Sequence, residues 1–303
     1  MLLSERSSYS YKSGEEEKEI EIFGFYTASN TLFSKENDRQ KYLFMKKLSI
    51  ITINYNNLKG LKRTVESVVN QTWQEFEYIV IDGGSTDGSA SYLENHSSNF
   101  DYWISDSDTG IYNAMNKGIQ KAKGEYLLFL NSGDHLYGNE ALQKTISEVC
   151  DYDLVYFDIQ VIDQEKTSIL ENPSTFSFEY LHNNLPCHQS LFVKKSAFGV
   201  VGLYDEELII VADWKWFIQA ILKYNLSYKK RAGFFSVFYK DGISSIDVNT
   251  ALIQKERTLV LEKDFPILMN DLKHQYYLER VIRNLRKSRK IKWLLKLGLL
   301  DKF

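Results

Sequence analysis

Between Leu48 and Leu130 one pattern recurs: a short unbroken apolar run, then a polar cluster. The runs occupy residues 48–53, 78–81, 102–104 and 126–130, and stretches with helical spacing separate them at 58–70, 86–95 and 111–122. In the first of these stretches Leu61, Val65, Val68 and Val69 fall on one face. Strands that are apolar on both sides cannot show a face to water. Alternating with helices, they imply a parallel sheet covered on both faces, an α/β fold. Gly124, after the third helix, reads as its C′ glycine.

Past residue 150 the pattern loosens. Residues 154–157 and 191–194 are strand-like, residues 213–224 helical, and Tyr228 and 234–239 add strand material. Beyond Asn249 the chain is mostly helical. The expected division is a poorly structured extension over 1–46, an α/β domain over 47–248 and a basic helical extension over 249–303. No clear period emerges in the first segment. It is either a flexible extension or an artefact of gene calling, with translation beginning at Met45.

Composition bounds the function. With 303 residues, 44% of them hydrophobic, the chain has ample material for a core. A formal charge of -3 gives no overall sign of nucleic-acid binding. Cys150 and Cys187 are too few for a disulfide framework or a cysteine zinc site. No apolar run approaches the ~20 residues of a membrane span. Acidic residues fill the stretch from Glu15 to Glu19, where a secretory signal would be apolar. The expected location is the cytoplasm.

The polar clusters carry the chemistry. In open α/β sheets ligands bind beyond the carboxyl ends of the strands. Here the four ends run into Asn54-Tyr55-Asn56, Asp82-Gly83-Gly84-Ser85-Thr86-Asp87-Gly88, Ser105-Asp106-Ser107-Asp108-Thr109-Gly110 and Asn131-Ser132-Gly133-Asp134. Such acids accept from ribose hydroxyls and base N–H groups, and offset a diphosphate only through a divalent cation. No P-loop lysine motif is present.

These segments, with Ala212-Asp213-Trp214, resemble the family-2 glycosyltransferases of GT-A fold, over about residues 48–245. The segment from Asp106 to Gly118 resembles a subgroup that makes O-antigen and capsule. The resemblance implies that Asn54 and Tyr55 flank the nucleoside and that Asp82 accepts from the base N–H. It implies Asp106 or Asp108 near the ribose or diphosphate, Asp134 on Mg²⁺ or Mn²⁺, and Asp213 as catalytic base. It further implies inverting transfer of a hexose or N-acetylhexosamine, expected to be UDP-linked, to a glycan or lipid-linked acceptor. Two departures stand out: Asn131 and Gly133 replace acids common in relatives, and Met115 replaces an arginine, with Lys117 and Lys240 the candidate substitutes.

Other residues have a bland and a sharp reading. Asp87 reads as a helix cap and Asp108 as either a cap or a ligand. His188 and Trp214 read as core residues or as part of an acceptor mouth, and Lys240 and Ser244 as a loop over the diphosphate. Residues 280–296 mix Lys and Arg with Trp293 and several leucines, the composition of an interfacial helix. That composition suggests peripheral attachment to an anionic membrane, on the inner face of the plasma membrane. The rivals are a nucleotidyltransferase and a non-catalytic sugar- or partner-binding module of the same fold.

Overall fold

The computed structural model describes residues 6–13, 16–23, 46–163, 166–239 and 249–300. In the amino-terminal segment, strands β1 (Arg6–Ser13) and β2 (Glu16–Phe23) pair antiparallel, with Tyr9 opposite Ile20. The sequence reading finds no period there, yet Glu19-Ile20-Glu21-Ile22 alternates as a strand does.

The elements of the main body follow in order. They are β3 (Leu48–Asn54), α1 (Leu58–Val69), β4 (Phe76–Asp82), α2 (Ser89–Asn95), β5 (Tyr102–Ser105), α3 (Ile111–Lys121) and β6 (Tyr126–Phe129). Next come β7 (His135–Leu136), α4 (Ala141–Thr145), β8 (Leu154–Asp163), β9 (Lys166–Leu170), α5 (Phe178–Asn183), β10 (Leu191–Lys194) and α6 (Lys195–Val201). The last are α7 (Ala212–Leu222), β11 (Tyr228–Tyr239), α8 (Thr250–Asp264), α9 (Pro266–Lys287) and α10 (Arg289–Lys296).

The strands form one sheet in the order β5-β4-β3-β6-β10-β8-β11-β7, with β9 on β8. Strands β5, β4, β3 and β6 are parallel, and β10 runs against both β6 and β8. The sheet is therefore mixed and mainly parallel. Every residue of β3, β4 and β6 is buried, whereas edge strand β5 is only half-buried.

Because strand side chains alternate, the apolar runs feed two cores. Ile50, Val80 and Leu128 join Leu61, Val65 and Val68 of α1 on one face. Ile51, Ile79 and Phe129 join Met115 of α3, Trp214 and Phe217 of α7, and Leu261 of α8 on the other. The topology sets β3 between β4 and β6, so the polar ends of the parallel strands open side by side. It also brings the start of antiparallel β10 to the same edge as the end of β6. Polar residues just before β10 thus reach the crevice.

Helix α2 begins at Ser89 rather than near Thr86. Asp87 spends its carboxylate on Leu58 N (2.7 Å) and on Ser89 N and Oγ (3.0 and 2.6 Å), which fixes the starts of α1 and α2 together. The glycine expected to close α3 has another reason. Gly124 donates to Ser49 Oγ at 2.8 Å, and a Cβ there would lie 2.5 Å from Ser49 N and 2.6 Å from Leu48 C. Those are backbone atoms in the central strand and cannot yield. We therefore expect Gly124→Ala to cost roughly 1–3 kcal/mol in urea unfolding, as overpacked sites do. Gly199, in α6 with open space around it, should accept alanine without loss.

Candidate active site

Strand β4 ends on Asp82, whose side chain is fully buried. Asn54 Nδ2 and Ser85 Oγ donate to its Oδ1, each at 2.6 Å. Ser85 N (3.0 Å) and Ser105 Oγ (2.5 Å) donate to Oδ2. Four donors match the lone-pair sites of a carboxylate, so the ends of β3, β4 and β5 are tied through one group. The base contact expected of Asp82 therefore requires one hydroxyl to turn aside. Asn54 Oδ1 is buried without a donor.

Around this hub the loops close tightly. Asn56, at φ 47°, accepts from Thr86 N at 2.8 Å, and its own N–H donates to Ser85 Oγ at 2.7 Å. Gly84, at φ 77°, is a left-handed position with Ser107 N only 3.2 Å from where a Cβ would stand. A Cβ on Gly83 would lie 2.5 Å from Asp108 Oδ2 and 3.2 Å from the Tyr55 ring, so these two side chains meet over it. Tyr55 is 67% exposed, an open aromatic face at the rim. Asp108 Oδ1 accepts from Gly110 N at 3.0 Å, one residue outside α3, whose own cap residue Gly110 supplies no side chain. Asp106 is exposed and accepts from Ser107 N at 2.9 Å. Lys117 Nζ reaches Ser107 O at 3.2 Å, while Met115 is buried in the core.

The turn after β6 is held from α1, which the sequence reading did not single out. Thr64 Oγ1 donates to Asp134 O (2.7 Å) and accepts from Gly133 N (3.0 Å), and Arg63 Nη1 donates to Gly133 O (3.3 Å). Asn131 Nδ2 lies 3.1 Å from His188 Nε2, which is 3.8 Å from Asp134 Oδ2. Burial lowers the His188 pKa, against the pull of Asp213, so the ring is neutral and its contact with Asp134 is not an ion pair. Neighbouring Cys187 is pushed up to about 12 by burial, then by Asp134 and Asp213, and stays a thiol. Residues 187 and 188 thus sit in the field of both acids.

Among the described residues no three His, Cys, Asp or Glu side chains converge as a metal cage. The turn nonetheless suits a cation that brings its own ligands. Asp134 supplies a carboxylate, and Asn131 Oδ1 is a buried acceptor with no donor. Mg²⁺ in particular is held by one or two carboxylates together with substrate phosphates.

Asp213 stands in the first turn of α7 and is half-buried. Trp214 N (2.8 Å) and Tyr112 Oη (3.0 Å) both donate to its Oδ1, and none of the described residues donates to Oδ2. Trp214 itself is buried, its Nε1 donating to Leu181 O at 2.6 Å and its ring covered by Arg257 at 5.1 Å. That leaves it no open face for a sugar and makes it a core residue. Burial lowers the Arg257 pKa while nearby Asp213 opposes the shift, so α8 brings a cation toward the base position. Lys240 and Ser244 lie outside the described residues.

Residues 49–200 match the family model described as Glycosyl transferase family 2. The chain belongs to that family. It is 34% identical over 181 residues to an uncharacterized glycosyltransferase of Mycobacterium tuberculosis, covering 58% of this chain and 69% of the relative. It is 31% identical over 179 residues to a PGL/p-HBAD biosynthesis glycosyltransferase of Mycobacterium bovis, covering 56% and 68%. Two solved structures share its fold. Residues 1–349 of Staphylococcus aureus TarS, in complex with UDP-GlcNAc, superpose with a TM-score of 0.57 at 19% identity, covering 82% of this chain and 76% of that one. A mannosyltransferase from Pyrobaculum calidifontis, in complex with GDP-Man and Mn²⁺, gives 0.58 at 13% identity, covering 89% and 87%. The enzyme is thus a glycosyltransferase of GT-A fold, and the family match speaks against the nucleotidyltransferase.

The two imidazoles at this end of the sheet, His135 and His188, set an expected response of stability to acid. Burial lowers the pKa of His188, and burial with Arg63 lowers that of His135. The unfolded chain, with histidines near about 6.5, takes up protons that the folded one refuses. Their contribution is complete above about pH 6.5 and is lost as pH falls through the folded values. Melting temperature should therefore drop between pH 7 and 5.5, and the double variant His135→Gln, His188→Gln should flatten that slope.

Proposed function

We propose that the enzyme transfers a hexose or N-acetylhexosamine from a nucleotide-diphosphate sugar, UDP-linked, to a glycan or lipid-linked acceptor with inversion, in cell-surface polysaccharide assembly. The observation that carries this reading is Asp213, whose Oδ1 is taken by Trp214 N and Tyr112 while none of the described residues donates to Oδ2, in a domain whose β6 turn holds Asp134 beside His188. The nucleotide sugars held by the two structural neighbours support the donor class. The M. bovis relative's place in PGL/p-HBAD biosynthesis supports the role.

In this reading the nucleoside lies over Tyr55 and Asn54, with Asp82, Asp106 and Asp108 around the base and ribose. Asp213 Oδ2 takes the proton of the acceptor hydroxyl, whose oxygen attacks the anomeric carbon. The bond from that carbon to the phosphate oxygen breaks, and the nucleoside diphosphate leaves with the electron pair. One displacement inverts the centre, so no covalent nucleophile is needed. Mg²⁺ or Mn²⁺ held by Asp134 with Asn131 would offset the charge gathering on the leaving diphosphate.

The carboxyl-terminal helices supply the membrane contact. Among the described residues no helix is long and apolar enough to cross a membrane. Yet Val281, Ile282, Leu285 and Trp293 are exposed among Arg283, Arg286, Lys290 and Lys292, and α10 buries no residue. A face of that kind lies in the headgroup layer of anionic bilayers, on the cytoplasmic side.

Three experiments test these readings. Purified enzyme with Mn²⁺ and a panel of UDP- and GDP-sugars should release nucleoside diphosphate from one donor and stop on addition of EDTA. With that donor, Asp213→Asn should lower the rate by at least about 10²-fold, in the range of losing a general base, while donor affinity in calorimetry stays within a few-fold. Full activity of Asp213→Asn would remove it from the chemistry. Deleting residues 280–303 should abolish co-sedimentation with phosphatidylglycerol vesicles, and unchanged binding would end the membrane reading.

A further inference from the structure

The segment from Asp106 to Gly118 contains a polar set that donor binding does not use. On α3, Asn116 Nδ2 donates to Tyr204 O (2.9 Å) and Glu206 Oε1 (2.8 Å), and its Oδ1 accepts from Tyr204 N (3.0 Å). Asn113 Nδ2 donates to Glu206 Oε2 at 2.8 Å. Tyr112, one turn earlier on the same face as Asn116, shares its single hydroxyl proton between Ile210 O and Asp213 Oδ1, the latter at 3.0 Å. Three side chains of one helix thus hold the whole run from residue 204 to residue 213. From the opposite side Glu256 of α8, itself buried, accepts from Ile209 N (2.8 Å), Ile210 N (3.1 Å) and Val211 N (3.2 Å).

We propose that Tyr112 is the positioning residue of the catalytic base, its hydroxyl pinning Asp213 Oδ1 so that Oδ2 alone faces the acceptor hydroxyl. This rests on the reading of Asp213 as the base. A carboxylate on two free torsions samples several rotamers, and only one presents an oxygen in line for proton removal. Trp214 N, a backbone donor next in sequence, constrains one side of Oδ1, and Tyr112 fixes the other. Burial, with the Asp213 charge beside it, raises the Tyr112 pKa, so the phenol stays a donor throughout the working range. Asn113, Asn116 and Glu256 hold the backbone to which the base is attached, and Tyr112 reaches the carboxylate itself.

The variant Tyr112→Phe removes one oxygen and keeps the ring that packs against Tyr204, centroids 5.8 Å apart. With the donor selected by the panel, and release of nucleoside diphosphate as readout, kcat should fall roughly 10- to 100-fold with donor KM within about two-fold. Asp213→Asn is assayed beside it. If Asp213→Asn is inactive and Tyr112→Phe keeps kcat within two-fold, the positioning role falls and the base remains. Full activity in Asp213→Asn removes the base and the proposal with it. A matched loss of kcat and donor affinity in Tyr112→Phe would place Tyr112 in the fold and overturn its role on Asp213.

A second measurement needs no substrate. In thermal unfolding, Tyr112→Phe and Asp213→Ala together should lower the melting temperature by less than the sum of the single variants, the mark of a shared bond. Strict additivity would overturn the proposal.

Discussion

The Asp82 carboxylate joins three strand ends that would otherwise be held only by their own ladders. A fully buried carboxylate costs several kcal/mol in lost hydration, and one donor would not offset that. Four donors do, because hydrogen bonds to a charged acceptor contribute roughly 1.5–3 kcal/mol each. Two come from Ser85 in its own turn, one from Asn54 on β3 and one from Ser105 on β5. This arrangement fixes the spacing of the loops that follow. Tyr55 and Asp108 meet over Gly83 because the strands beneath them cannot drift apart.

From that hub acids lie to both sides of the crevice. On the β5 side lie Tyr55, Asp106 and Asp108, with Tyr55 and Asp108 meeting over Gly83. On the β10 side lie Asp134 and Asp213, with a thiol and a neutral imidazole between them. The lowered imidazole pKa matters here. Were His188 protonated it would form an ion pair with Asp134, and the burial that lowers its pKa works against that pair. The thiol likewise stays protonated and adds no further negative charge.

The sequence made the parallel half of the fold legible because its strands are buried on both faces and read as unbroken apolar runs. The strand ends were legible for a related reason: polar residues directly after such a run have only one place to go. The second half was harder. Strand β11 reads as fragments because register shifts against β8 interrupt its alternation around residues 230–236. Trp214 was ambiguous because a tryptophan beside an acid looks the same whether it faces a sugar or the core. Gly124 invited a capping explanation, whereas its true neighbour is the backbone of Ser49, far away in sequence. Arg63 and Thr64 could not be associated with the turn at 131–134 at all. A contact across about 70 residues leaves no local pattern.

The same limit hid the part played by α8. A basic, mostly helical tail suggests an appendage, and the family match ends at residue 200. Yet both Asp213 and the helix that braces it lie beyond that point. Three consecutive N–H groups, at Ile209, Ile210 and Val211, point out of the chain just before α7, where a helix start leaves donors unpaired. A buried glutamate on α8 is what satisfies them, and it accepts two of the three through one oxygen. Removing Glu256 would strand those donors beside the first turn of α7 and loosen the backbone that carries Asp213. Asp213 is therefore held between α3, through Tyr112, and α8, through Glu256. Helix α8 is thus packed into the same core as the sheet and is part of what positions Asp213, not an appendage to it.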